Sequence, residues 1–262
     1  VLLKPSVIVR ETVQGASAKT EAHILEERRE RRRLTKAWKA FKQSAVSSFT
    51  YVEAIGLSHV GKIVGDTLGL SRPAPDPTRD NLPADAVKRL GPKLDAEIVD
   101  GRATGFAAEG RVDMAEAVLR AMSLTSGFAR LVLLAGHGST SVNNPHASGL
   151  DCGACGGHTG EANARVAAAL LNDPAVRQGL AARNILIPAD TIFLGGIHNT
   201  TTDEVEVFNV ETLPAGHADD VALLLKALKD AAAAARREHS FGCARAGVPR
   251  AGEVRLRLGR AG

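Results

Sequence analysis

The segment spanning residues 131–157, LVLLAGHGSTSVNNPHASGLDCGACGG, constrains the chain more than any other stretch. A short apolar run at 131–134 leads into Gly136-His137-Gly138, and Cys152 follows fifteen positions after His137, within Asp151-Cys152-Gly153-Ala154-Cys155-Gly156-Gly157. A brief apolar run closed by glycine reads as a buried strand. His137 is therefore expected just past a strand end, where α/β sheets keep their sites, between glycines that let backbone and ligand approach closely. Gly153, Gly156 and Gly157, within and after the Cys152–Cys155 pair, argue against the ordinary burial of free thiols as small hydrophobes. Imidazole nitrogen and thiolate sulfur are the donors that borderline-soft Zn²⁺ prefers. His137 and Cys152 thus read together as half of a zinc site.

The surrounding pattern predicts an α/β layer. From Val112 a helix is expected with Met114, Val118, Ala121 and Met122 on one face and Gly127 near its end. A second helix spans 160–171, and Asp173-Pro174 opens a third with proline at its first position. Residues 191–194 read as a short strand, and 204–208 alternate as an edge-like one. The clearest helix is 218–237, with Val221, Leu224, Leu225, Leu228 and Ala232 on one face. Helices alternating with strands predict a mainly parallel sheet with flanking helices over residues 111–240.

Residues 1–110 read differently. Mixed charges at 26–33 lead into 34–43 as one long polar-faced helix. Residues 45–65 are more apolar, with Phe49, Tyr51, Ile55 and Val60, and suit a buried helix pair or a partner-binding surface. Prolines 73, 75, 77, 83 and 92 make 71–92 a loop that wraps another part of the protein. Residues 241–262 lack periodicity and are expected to be an irregular tail.

Composition narrows the classes. Among 262 residues, 44% hydrophobic and 24% charged describe an ordinary globular chain, and 3% aromatic content leaves the core to Leu, Val, Ile and Ala. No apolar run approaches the ~20 residues that span a bilayer. Cys152, Cys155 and Cys243 are too few for a disulfide framework and favour metal or redox use in a reducing compartment. Residues 1–43 carry 11 Lys+Arg against 5 Asp+Glu, and residues 236–262 carry 7 against 2, leaving an acidic middle. Basic ends suit anionic lipid or an acidic partner surface, and RNA would also fit, but the field is too modest to decide function.

Other readings compete at the cysteine motif. A structural Cys₂His₂ site would recruit Cys155 with His158 or His146, although no H-x₃₋₅-H pair follows. A thioredoxin-like role for Cys152 and Cys155 before a helix leaves His137 unexplained. Residues 195–203, with His198, read first as a polar turn capping the sheet and only second as a ligand site. The loop at 136–140 is a weak anion cradle without the P-loop lysine.

Several runs together resemble one family. Ala45-Val46-Ser47-Ser48-Phe49 with Tyr51-Val52-Glu53, then Gly136-His137-Gly138, then the cysteine-glycine motif with Asn163-Ala164-Arg165, resemble DabA, the soluble subunit family of bacterial inorganic-carbon pumps. The resemblance covers most of residues 1–240 and fades in the tail. It implies a zinc site similar to that of β-carbonic anhydrases, built from a Cys-x-Asp-x-Arg half and a half that carries over onto His137 and Cys152. It also implies a β-carbonic-anhydrase-like fold for residues 111–240. No cysteine precedes Cys152, so the first half has no counterpart, and the chain, which opens on Val1, reads as the C-terminal part of a larger subunit.

The same resemblance implies Zn²⁺ as cofactor and vectorial hydration of CO₂ to bicarbonate, since zinc lowers the pKa of water toward neutrality. It implies an integral-membrane, cation-translocating partner, DabB, no nucleic acid, and a peripheral place on the cytoplasmic face of the bacterial inner membrane. The alternative is a structural zinc or redox Cys-x-x-Cys module without catalysis. The strand-Gly-His-Gly-Ser run also resembles tetrapyrrole chelatases, a reading that leaves the cysteines idle.

Overall fold

The elements follow one another as β1 (Arg10–Val13), α1 (Ala18–Gln43), α2 (Val60–Thr67), α3 (Ala84–Arg89), β2 (Leu90–Lys93), β3 (Glu97–Val99), β4 (Arg102–Thr104), α4 (Ala108–Ala121), β5 (Leu131–Gly138), α5 (Glu161–Asn172), α6 (Pro174–Ala181), β6 (Ile192–Asn199), β7 (Glu204–Val207) and α7 (Ala218–Arg245). The computed structural model describes residues 7–44, 53, 56, 60–67, 82, 84–139 and 159–245. Contacts divide the chain into two units, residues 13–90 and residues 1–12 with 91–262.

In the 13–90 unit, α1 starts where Ser17 caps it, the hydroxyl accepting from the Thr20 amide at 3.2 Å. Arg29–Glu26 and Arg31–Glu27 pairs decorate its exposed side, as the mixed-charge pattern leads one to expect. A small core of Val13, Ala86 and Leu90 packs with Ile24 and Leu82. The expected loop at 71–92 is broken, because residues 84–89 form α3 in this unit and β2, residues 90–93, starts at its last residue. Ala-Asp-Ala-Val-Lys-Arg has good helix formers, an acid in the first turn and bases in the last. Pro92 is tolerated because β2 belongs to a two-stranded sheet, where one edge needs no amide.

The larger unit carries the α/β layer. Strand β5 pairs in parallel with β6, and β7 pairs antiparallel on the far side of β6, giving the order β5-β6-β7. The core lies between this sheet and α4, α5 and α6, built from Ala115, Leu119, Ala168, Leu171, Val176, Leu180 and Phe193. Phe128 meets Phe193 edge-on at 6.0 Å. Asp173 caps α6 by accepting from the Ala175 amide at 2.8 Å, with Pro174 at its first position.

Two expectations change in this unit. α4 buries Ala115 and Leu119, whereas Met114 and Met122 are 38% and 43% exposed. Apolar residues occupy more than one side of this helix, and close approach to α6 favours the side carrying the small Ala115. α7 does not stop at Arg237 but continues through Ser240 to Arg245, a continuation that follows the alanine-rich 231–235 run. Val221, Leu224, Leu228 and Ala232 lie on its more buried side, and Leu225 is 44% exposed. Two short strands, β3 and β4, form a hairpin with Asp100 and Gly101 at positive φ in its turn.

Candidate metal centre

β5 is longer than its apolar run, and His137 is its penultimate residue rather than the first residue beyond it. Strand β6 is likewise longer than expected, and it runs through Gly195-Gly196 to His198 and Asn199. The register pairs Leu133 with Leu194, Ala135 with Gly196, and His137 with His198. In a parallel pair, register partners project to the same side and alternate along the strand. Phe193 enters the core, and a Cβ at Gly195 would meet Ala164 and Arg165 of α5 at 3.2 Å. The alternate residues, His137 and His198 among them, therefore leave the face opposite α5. Both are half-buried at the carboxyl end of the sheet.

Hydrogen bonds fix the strand ends. The Gly160 amide donates to the His137 carbonyl at 2.7 Å, which ties the start of α5 to the end of β5. The Thr200 amide and hydroxyl both reach the Gly138 carbonyl, at 2.9 and 3.1 Å, which ties the β6–β7 turn to the same end. The Asn199 side chain accepts from the Thr201 amide at 3.0 Å, and its carbonyl accepts from Asp203 at 2.8 Å. Asp203, at φ +57°, turns a buried carboxylate toward His198, with Oδ1 3.6 Å from Nε2. Asn and Asp are the non-glycine residues that tolerate this left-handed region best.

Behind the strand ends, α5 is held by Arg165. Its guanidinium pairs with Glu161 at 2.9 Å, donates to Asn209 at 3.1 Å and lies 3.7 Å above the Phe208 ring. Arg177 of α6 donates to the carbonyls of Leu171 and Thr191, each at 2.7 Å, and its burial lowers its pKa from the ordinary arginine value.

Of the residues singled out from sequence, His137 and His198 fall within the described structure and stand side by side. Cys152, Cys155, His146 and His158 lie outside the described residues. Among the described residues no group of three or more His, Cys, Asp and Glu side chains is placed to hold a metal. What they supply is one half-exposed imidazole donor on a strand end with a second imidazole alongside it, which fits a contribution to a zinc site rather than a whole one. The pairing of His198 with His137 does not follow from the sequence pattern, because the apolar run of β6 ends at Leu194. The alternation through the glycines to Ile197 was the signal that would have extended it.

A family model described as "Probable inorganic carbon transporter subunit DabA" matches residues 1–256, reaching further into the tail than the motifs suggest. The chain is 59% identical over 240 residues to "Probable inorganic carbon transporter subunit DabA 2" of Bradyrhizobium sp. (strain BTAi1 / ATCC BAA-1182), covering 92% of this chain and 28% of that protein. It is 52% identical to the DabA protein of Roseiflexus castenholzii (strain DSM 13941 / HLO8), with 92% and 29% covered. It is 50% identical to that of Chloroflexus aurantiacus (strain ATCC 29366 / DSM 635 / J-10-fl), again with 92% and 29% covered. The chain thus spans under a third of the length of the curated relatives it matches. No solved structure matches it. With the family match extending over nearly the whole sequence, this chain belongs to the DabA family.

Proposed function

We propose that this chain supplies His137 and Cys152 to the zinc site of an inorganic-carbon transporter subunit that hydrates CO₂ to bicarbonate. The observation that carries the reading is the placement of His137. It sits half-buried at the carboxyl end of a parallel strand, with its carbonyl fixed by the Gly160 amide that follows the 140–158 segment. That segment bears Cys152, and both of its flanks are anchored at the same strand end, since Gly138 lies against Thr159 and Gly160 against Gly136. The names of the relatives, probable inorganic carbon transporter subunits, support the substrate class.

Zinc, when bound, supplies the Lewis acidity that makes water a nucleophile toward CO₂ near neutral pH. The residues of this chain then orient and enclose: His137 donates an imidazole nitrogen, Cys152 a thiolate, and the Gly136–Gly160 contact keeps the strand end rigid. Remaining donors come from elsewhere in the complete subunit. Among the described residues no helix is long and apolar enough to cross a membrane. We place the subunit peripherally on the cytoplasmic face of the inner membrane, working with an integral-membrane, cation-translocating partner, DabB, that makes the hydration unidirectional.

Metal analysis of the complete subunit tests the assignment. His137→Ala and Cys152→Ser should each lose most of their zinc, because a tetrahedral shell missing one donor binds far more weakly. Full occupancy in both variants overturns it. Uptake of labelled bicarbonate by cells producing the subunit with and without the partner tests the coupling, and equal uptake in the two overturns that part.

A further inference from the structure

We propose that His198, backed by the buried carboxylate of Asp203, binds the oxyanion substrate at the site to which His137 contributes. The inference rests on the zinc-dependent inorganic-carbon reading above and adds a residue to it. His198 is the register partner of His137, so the two side chains leave one face of the sheet from Cα atoms about 4.8 Å apart. Two ties hold them in this relation, the Thr200 amide and hydroxyl on the Gly138 carbonyl.

The chemistry of His198 follows from Asp203. Its Oδ1 lies 3.6 Å from His198 Nε2, and its side chain is only 9% exposed while that of His198 is 40% exposed. A buried carboxylate beside one ring nitrogen favours the tautomer that carries its proton there, which leaves a lone pair on the other nitrogen. Nδ1 can then accept a hydrogen bond from the hydroxyl of bicarbonate. His137 keeps the metal role of the reading above, and the partly exposed His198 beside it is assigned to the substrate. The strained backbone of Asp203, at φ +57°, is consistent with a turn shaped for the carboxylate it presents.

The test uses the complete subunit loaded with cobalt in place of zinc, titrated with bicarbonate while the visible absorption of the metal is followed. His198→Ala should keep the wild-type metal content and require about tenfold more bicarbonate for half-saturation, the effect of losing one hydrogen bond to an anion. His198→Gln, whose amide oxygen also accepts, should recover part of the affinity, and Asp203→Asn should fall between wild type and His198→Ala. Unchanged bicarbonate affinity in His198→Ala overturns the proposal. So does loss of metal in soluble His198→Gln, which makes His198 a ligand or a structural residue. If His198→Ala fails to fold, His198→Gln and Asp203→Asn decide, and wild-type affinity in both overturns it. Failure of the wild-type subunit to bind cobalt, or full metal content in His137→Ala, instead overturns the metal-site reading.

Discussion

Gly160 and His137 are joined through their backbones: the amide of the first donates to the carbonyl of the second at 2.7 Å. The approach is close enough that neither Gly160 nor its neighbour Gly136 has room for a side chain. A Cβ at 160 would lie 2.9 Å from Gly136 Cα and 3.0 Å from the His137 amide nitrogen. A Cβ at 136 would lie 2.5 Å from the Gly160 carbonyl oxygen. Backbone atoms cannot swing aside as a flexible side chain would, so the strand end itself must move.

Gly136→Ala is therefore expected to destabilise the fold by about 1–3 kcal/mol, the range for forced overpacking. It should also weaken metal binding, because the displaced strand end carries His137. Denaturant unfolding and metal titration of the complete subunit check both effects. Gly160→Ala should act in the same direction with a smaller effect, since its nearest contacts are longer. Wild-type stability and metal affinity in both variants would show that the contact does not position His137.

Much of this arrangement was legible in the sequence, for reasons that differ between elements. The parallel pair could be read because β5 begins with uninterrupted Leu-Val-Leu-Leu and is followed by two well-marked helices, one of them opened by Asp173-Pro174. The neighbourhood of His137 and His198 could not, because register is a long-range property and Gly195-Gly196 resembles a turn when read locally. The glycines are there because α5 packs against one and the β7 backbone against the other. The buried face of α4 is not legible for a related reason: hydrophobicity favours Met114 and Met122, while packing favours the smaller Ala115 beside Leu119. Strands β3 and β4 are three residues each, too short for alternation to reveal.

Acid sensitivity should be traceable to Glu116. Arg183 and then Arg120 hydrogen-bond its carboxylate, at 2.6 and 2.8 Å, and hold its pKa below the usual glutamate value near 4.5. A carboxyl with a lowered folded-state pKa stabilises the fold above its unfolded value and loses that contribution as pH falls through the folded one. Glu116→Gln should therefore be less stable than wild type at neutral pH, and the difference should shrink as pH falls below about 4.5. Thermal unfolding of the two proteins across that range is the measurement. A difference that stays constant with pH would rule out the ion pair as its source.

Asn172 offers a sharper test of backbone satisfaction. Its side-chain amide nitrogen donates to the Phe193 carbonyl at 2.7 Å, and its oxygen accepts from the Phe193 amide at 3.0 Å. That double contact supplies β6 with hydrogen bonds beyond the end of its pairing with β7, which begins at Gly196. Asn172→Leu leaves both polar groups of a buried residue without these partners, so a loss of about 2–4 kcal/mol is expected. Asn172→Asp keeps the acceptor, loses the donor and should cost less at neutral pH than Asn172→Leu. Chemical denaturation of all three proteins checks the order, and a Leu variant as stable as wild type would mean that water replaces the amide.

The 262-residue chain on its own should bind zinc poorly and show no hydration of CO₂. On the proposed assignment His137 and Cys152 supply two donors where a closed shell needs four, and His198 goes to the substrate rather than to the metal. Recruiting both Cys155 and His158 would complete the count but not the charge and orientation that hydration requires, since neither supplies a carboxylate and arginine to orient water and bicarbonate. The chain also spans only 28% of the length of its relative from Bradyrhizobium sp. (strain BTAi1 / ATCC BAA-1182), which leaves ample sequence elsewhere in the complete subunit for the remaining donors. Isotope exchange between CO₂ and water, measured on the purified chain with added zinc, is the decisive assay. Metal-dependent exchange well above the uncatalysed rate would place a complete site within these residues and make the half-site assignment of His137 and Cys152 untenable.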